Sequence, residues 1–233
     1  MKKKLIALVF GLAGGGLVFA ATSDADRIKA RLNQLAPEVK VDKVTPAEAP
    51  GMFEVVSGRH VFYTDASARY VFEGSLIDIE RKVNLTEART ERLNRVDFNT
   101  LPLSDAIVSV KGNGKRKMAI FSDPDCPYCR KLEVQLASVD NVTIYTFLFP
   151  IAQLHSNATE RAISVWCSPD RVKAWGIAMK GGSLPSLHCD TPVDRNIALG
   201  NKLGVNGTPT MIFADGRRVP GLIPAAQIET LLN

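Results

Sequence analysis

Cys126 and Cys129 are the residues of this 233-residue chain whose type and spacing most directly imply chemistry. They stand in Phe121-Ser-Asp-Pro-Asp-Cys-Pro-Tyr-Cys-Arg-Lys, which continues the apolar run Met118-Ala-Ile-Phe-Ser. The run reads as a buried strand, and a helix is expected from about Cys126 to Ala137. Pro127 suits the first helical position, where its missing N–H costs nothing. Cys126 then faces unpaired amides and the positive end of a helix dipole. Both favour thiolate over thiol and lower the pKa from about 8.5 to between roughly 3.5 and 7.5. Cys129 lies about one turn on, near enough to close a disulfide, and a low-pKa thiol is a good leaving group. Thiol–disulfide exchange is the chemistry this arrangement serves.

Two other uses of such a pair compete. A zinc knuckle needs a second close pair, but Cys167 and Cys189 are far apart in the chain, and His155 and His188 could complete a site only by fortunate folding. An inert structural staple is the other, and a helix start is an exposed, strained place for one. No metal and no cofactor are therefore expected. Cys167 and Cys189 are most simply each other's partners. Closing a loop of that size is worth about 3.4 kcal/mol in the chain-entropy model. The rival is a second redox pair that exchanges with the first.

These sulfurs need elements to position them, and the chain divides near residue 100. Asp24 to Leu35 spaces Ile28, Leu32 and Leu35 as a helix behind Ser23 or Asp24. Glu54-Val-Val, His60 to Thr64 and Arg69 to Gly74 read as strands, with Asp65-Ala-Ser-Ala as a turn. Such an α+β unit is marginal alone, because it buries only about 60% of its unfolded surface. Asn84 to Val96 is a mostly polar helix, read as a linker with a surface helix as the alternative. Beyond it, strand and helix alternate. Val142 to Phe149 forms a second strand, and helices follow over 158–166, 171–179 and 194–203, the last stopped by Gly204. Thr210 to Ala214 and Arg217 to Val219 make a hairpin about Asp215-Gly216, and Pro224 to Leu232 closes with a helix. The order implies a mixed-sheet α/β domain with a helical insertion. Trp166, Trp175 and Phe147 read as core; Lys115-Arg-Lys117 and Arg217-Arg218 read as solvated charge.

The N-terminus bears on compartment. Lys2 to Lys4 precede the uncharged stretch Leu5 to Ala20, whose 16 residues span about 24 Å as a helix, short of the roughly 30 Å hydrocarbon core. This reads as a secretory signal peptide cut after Ala20, with an uncleaved anchor as the alternative. The chain's net charge of +5 falls to +2 without those three lysines, so no nucleic-acid partner is implied.

Gly207-Thr208-Pro209-Thr210 stands before the late strand, and beside a C-x-x-C on a β-α-β scaffold a cis Thr208–Pro209 bond is expected. With it a resemblance becomes plain. The second half resembles a thioredoxin-fold domain, with Pro209 in the place of that family's cis-proline. The whole mature chain resembles the periplasmic disulfide isomerase family of DsbC and DsbG. The matching features are a signal peptide, Phe53-Glu-Val-Val-Ser-Gly to Phe62-Tyr-Thr, Asn84-Leu-Thr-Glu, Phe121-Ser-Asp-Pro to Cys-Pro-Tyr-Cys, a second cysteine pair and Gly-Thr-Pro. The resemblance implies a cystatin-like α+β N-terminal dimerisation domain and an α/β thioredoxin-like fold with a helical insertion. The segments are 1–20 signal peptide, 21–82 dimerisation domain, 83–100 linker helix and 101–233 catalytic domain.

It further implies a V-shaped periplasmic homodimer whose cleft binds misfolded or misoxidised exported proteins in chaperone-like fashion. A membrane thiol reductant of the DsbD type would keep it reduced, and no stable membrane anchor is expected. Cys126 becomes the exposed nucleophile and Cys129 the resolving thiol. Thr208 and Pro209 present backbone groups to the substrate. The dipeptide Pro127-Tyr128 follows the DsbG-type pattern rather than the Gly-Tyr of DsbC-type members, so oxidase and reductase activities stand beside isomerase. A redox-inactive chaperone is the non-enzymatic alternative.

Overall fold

The computed structural model describes residues 23–233, so the expected signal peptide lies outside the described residues. Chain contacts divide the molecule between Ser75 and Leu76. In the first unit, α1 (Asp24–Leu35) starts where the Ser23 hydroxyl accepts the Asp26 N–H at 3.2 Å. Ile28 and Leu32, one turn apart, are buried on its inner face. They pack with Val41, Val44, Val55 and Ala68 over one antiparallel sheet. Its strands, in order, are β1 (Lys43–Pro46), β2 (Met52–Ser57), β3 (His60–Asp65) and β4 (Val71–Phe72). The strand expected over Arg69 to Gly74 shrinks to two residues. The Asp65 carboxylate takes the N–H groups of Ser67, Arg69 and Tyr70 at 2.9–3.0 Å, so the turn uses amides that a longer ladder would need.

The second unit opens with a short ribbon, β5 (Ile77–Asp78) with β6 (Val83–Asn84), and α2 (Leu85–Leu93), capped by the Asn84 side chain on the Glu87 N–H. The helix is shorter than the segment read as a linker. Beyond it Val96, Phe98 and Leu101 are buried with Ala119, Phe121 and Phe147, and the Val96 N–H donates to the Gly216 carbonyl at 2.9 Å. These residues are core of the second unit, because a polar helix can carry apolar residues inward just past its end.

The main sheet follows. β7 (Ile107–Lys111), β8 (Arg116–Ser122), β9 (Val142–Leu148), β10 (Thr210–Phe213) and β11 (Arg218–Pro220) lie in the order β11-β10-β8-β9-β7. Only β8 and β9 are parallel, joined through α3 (Pro127–Leu136) as a β-α-β crossover. Between β9 and β10 come α4 (Ala158–Cys167), α5 (Arg171–Met179) and α6 (Val193–Leu203); α7 (Ala225–Leu232) closes the chain. β8 alternates sides: Met118 and Ile120 pack with Leu132, Leu136 and Ile228, whereas Ala119 and Phe121 pack with Phe147 and Phe149. Phe121 and Phe147 stack with centroids 5.0 Å apart. Trp166, Trp175 and Phe147 are buried, as expected for core. Gly204 ends α6 in the left-handed region at φ 71°.

Reading Lys115-Arg-Lys117 and Arg217-Arg218 as solvated charge is corrected at three positions. Arg116 pairs with Glu229 and reaches the Asp140 carbonyl; Arg217 reaches Asp215 and the Leu231 carbonyl; Arg218 binds Asn94 and the carbonyls of Leu203 and Gly204. Guanidinium groups close helix C-termini and chain turns in a way that spacing cannot foretell. Gly200 of α6 supplies a stability test, because a Cβ there would meet Phe149 Cε2 at 2.3 Å. Gly200→Ala is expected to destabilise the protein in chemical denaturation, by about 1–3 kcal/mol of overpacking. Helix propensity alone gives the opposite sign, a gain of about 1 kcal/mol.

Candidate active site

β8 delivers the chain through Ser122-Asp-Pro-Asp to Cys126, the N-cap of α3, with Pro127 in the first turn. Backbone φ −71° and ψ 123° at Cys126 turn its carbonyl to accept the Arg130 N–H at 3.2 Å. Opposite stands the cis Thr208–Pro209 peptide at the head of β10, and the Cys126 thiol lies 3.4 Å from the Thr208 carbonyl. Cys126, Pro127, Tyr128, Cys129, Thr208 and Pro209 thus meet at one end of the sheet. Both cysteines are free.

The two thiols are electrostatically unlike. The Cys126 pKa is lowered to about 5, above all because the Cys129 thiol donates to its sulfur. The Thr208 hydroxyl and the N–H groups of Cys129 and Tyr128 add to this against the opposing effect of burial. Cys129 is pushed far up, first by that same bond and then by burial, although the Ser122 hydroxyl and the Asp123 N–H favour its charge. One proton therefore sits between the sulfurs and stays on Cys129, so that Cys126 carries the thiolate character of the pair.

Exposure at Cys126 is corrected: only 4% of the residue reaches solvent. α3 and the Thr208–Pro209 turn enclose it, and Ala162, Val165, Trp166 and Trp175 of the helical insertion belong to the same cluster as both cysteines. Pro127 and Tyr128 are the exposed members of the site, with Lys131 over the Tyr128 ring at 5.5 Å. Cys167 and Cys189 are bonded to each other, joining the end of α4 to the segment before α6. They are thereby removed as ligands for any metal shared with Cys126 and Cys129.

Sequence reasoning assigned no role to Ser122, Asp123 or Glu133, and weighed His155 only as a metal ligand. Ser122 and Asp123 were legible as neighbours of the motif, but their orientation depends on the strand end. Glu133, one turn beyond Cys129 on α3, accepts the Trp175 indole N–H at 2.8 Å. Burial pushes its carboxyl upward against that bond and the charge of Lys111.

A family model for a disulfide bond isomerase N-terminal domain matches residues 19–87, and one for a thioredoxin-like domain matches residues 103–233. A protein of Bordetella pertussis described as a probable thiol:disulfide interchange protein DsbC is 41% identical over 91% of this chain and 76% of its own length. The chain belongs to the DsbC family. The DsbC thiol:disulfide interchange protein of Escherichia coli is 29% identical over all of this chain and 96% of its own. A crystal structure of a disulfide interchange protein from Neisseria gonorrhoeae superposes with a TM-score of 0.54 at 46% identity, over 57% of this chain and 96% of that one. This DsbC-family chain is therefore a thiol:disulfide interchange enzyme with a dithiol at Cys126 and Cys129. Its N-terminal β-sheet domain with a helix and its thioredoxin-like α/β domain agree with the fold the resemblance implied.

A pH test follows from the depressed thiol. Cys126 ionises at about 5 in the folded protein and at about 8.5 in an unfolded chain. Its contribution to stability is complete above the unfolded value and disappears as pH falls through about 5. The urea midpoint of the dithiol protein should exceed that of Cys126→Ala at pH 8 and converge on it below pH 5. A gap that widens with acid would contradict the assigned thiolate.

Proposed function

We propose that this enzyme rearranges wrong disulfides in exported proteins, with Cys126 as nucleophile and Cys129 as resolving thiol. The observation that carries this reading is the division of charge between the sulfurs, a thiolate at the α3 N-terminus beside a thiol that keeps its proton. The Cys126 thiolate attacks one sulfur of a substrate disulfide, forming a mixed disulfide and releasing the other sulfur as a thiolate. That thiolate attacks a different substrate disulfide, and the thiolate it displaces attacks the mixed disulfide. Cys126 leaves as a thiolate again, with no net transfer of electrons. When the substrate stalls, Cys129 loses its proton to solvent and attacks the Cys126 sulfur. The substrate leaves as a thiolate carrying two electrons, and Cys126–Cys129 becomes a disulfide that an external dithiol must reduce. A membrane reductant of the DsbD type fits that need.

A homodimer formed through the N-terminal unit accompanies this reading. Among the described residues, β4 is an edge strand paired only to β3, and it carries exposed Val71 and Phe72 next to exposed Tyr70. An unpaired apolar edge is a ready template for a second chain. A chaperone-like cleft follows from two such copies presenting their dithiols. Export to the periplasm is supported by the Cys167–Cys189 bridge, which persists in oxidising compartments, and by the signal-like N-terminus. The Pro127-Tyr128 dipeptide favours a second activity, reduction of sulfenic acids: the thiolate attacks the sulfenyl sulfur, hydroxide leaves and is protonated to water, and Cys129 resolves the mixed disulfide.

The test is recovery of activity from fully oxidised, scrambled ribonuclease in a glutathione buffer, with sedimentation of the same preparation. Catalysed recovery by a dimer is expected. Recovery no faster than buffer while a known isomerase succeeds rejects the isomerase assignment, and a monomer rejects the dimer.

A further inference from the structure

Asp123 is fully buried and touches both sides of the dithiol. Its carbonyl accepts the Cys126 N–H at 3.2 Å, and its N–H lies on the Cys129 sulfur. One carboxylate oxygen accepts the Asp125 N–H at 2.7 Å; the other accepts the Ile151 N–H at 2.7 Å and meets His155 Nδ1 at 3.0 Å. The loop before the nucleophile therefore holds two carboxylates, Asp123 and Asp125, whose negative charge disfavours a thiolate at Cys126. Asp125 is offset by Arg130 of α3 at 3.4 Å and Arg161 of α4 at 3.5 Å. Among the described residues, the side chain that meets the Asp123 carboxylate is His155, from the segment between β9 and α4.

We propose that His155 is a positioning residue of the exchange reaction: its protonated ring, seated on Asp123, offsets the buried carboxylate and so couples a proton outside the dithiol to ionisation of Cys126. The inference deepens the role proposed above for Cys126 and rests on it. His155 is poised to be charged, its pKa raised first by the bond to Asp123 and further by the charges of Asp123, Cys126 and Asp125, against burial. Coupling is reciprocal. If the thiolate raises His155, protonated His155 lowers Cys126 by the same amount. Oxidation to a Cys126–Cys129 disulfide removes the thiolate and must let the His155 pKa fall. Cys129 stays protonated in the dithiol form and contributes no charge.

The test reads both ends of the coupling in the whole protein. Imidazole proton resonances of the dithiol and disulfide forms are followed against pH, with His155 assigned among the three histidines by His155→Gln. His155 is expected to titrate at higher pH in the dithiol form. In His155→Gln, thiolate absorbance at 240 nm should show the Cys126 titration moved up by about one pH unit, a roughly fivefold loss of thiolate at pH 5 and none at pH 8. Equal His155 titrations in the two forms, or an unmoved Cys126 titration in the variant, overturn the inference. A wild-type Cys126 that titrates as an ordinary thiol instead overturns the role assigned to Cys126 itself.

Discussion

Cys126→Ser is expected to abolish thiol–disulfide exchange, leaving the protein folded and the rate at that of buffer alone. The serine hydroxyl stays protonated at any working pH, so the group that attacks is missing and Cys129 cannot replace it. Cys129 is buried, held protonated by its environment, and lies one turn deeper in α3. Cys129→Ser has a different signature. Cys126 is still expected to attack, but the resolving step is gone, so covalent mixed disulfides accumulate with disulfide-bearing substrates, whose other sulfur leaves as a thiolate. The variant also loses the Cys129 thiol, whose bond contributes most to lowering the Cys126 pKa. Non-reducing electrophoresis after acid trapping checks both: no adduct in the first variant, a persistent one in the second. Adducts with Cys126→Ser would assign attack to Cys129 and reverse the two roles.

Loss of the Cys167–Cys189 bond is expected to have the largest effect on stability. The bridge closes a loop with a sequence separation of 22 residues, worth about 3.4 kcal/mol when the unfolded chain is constrained. For a chain of this size that corresponds to a Tm lower by about 7–14 °C. Because α4 and α5 pack with both active-site cysteines, loosening the insertion also exposes the site. Differential scanning calorimetry of Cys167→Ala/Cys189→Ala measures the first consequence, and the rate of Cys126 alkylation at pH 8 measures the second. A double variant as stable as wild type would argue that the bridge has a role other than holding the insertion.

How much of this was legible varies with the range of the forces involved. Local signals sufficed for Pro127 at the start of α3 and narrowed the cap of α1 to Ser23 or Asp24, since each depends on a few neighbouring residues. They placed the late hairpin too, but its loop is Ala214-Asp215-Gly216, one residue longer than the expected Asp215-Gly216. β7 was not read. Ile107-Val-Ser-Val-Lys is short, and its edge position comes from antiparallel pairing with β9, many residues downstream. The inward residues after α2 were missed for a related reason. Val96, Phe98 and Leu101 occupy space left by β8 and β9, and nothing in a polar helix announces it.

The order of residues alone determined that a cysteine would sit at a helix N-terminus with a partner one turn on, because proline and helical spacing act within a few residues. It also supplied Thr208-Pro209 as the turn opposite, through the resemblance of the whole ordered set. Only the tertiary structure decided which charges surround that cysteine. Asp123 meets His155, Asp125 meets Arg161 and Cys126 meets Thr208 across long stretches of chain. Electrostatic influence depends on distance in space and on burial, and neither is a property of sequence separation.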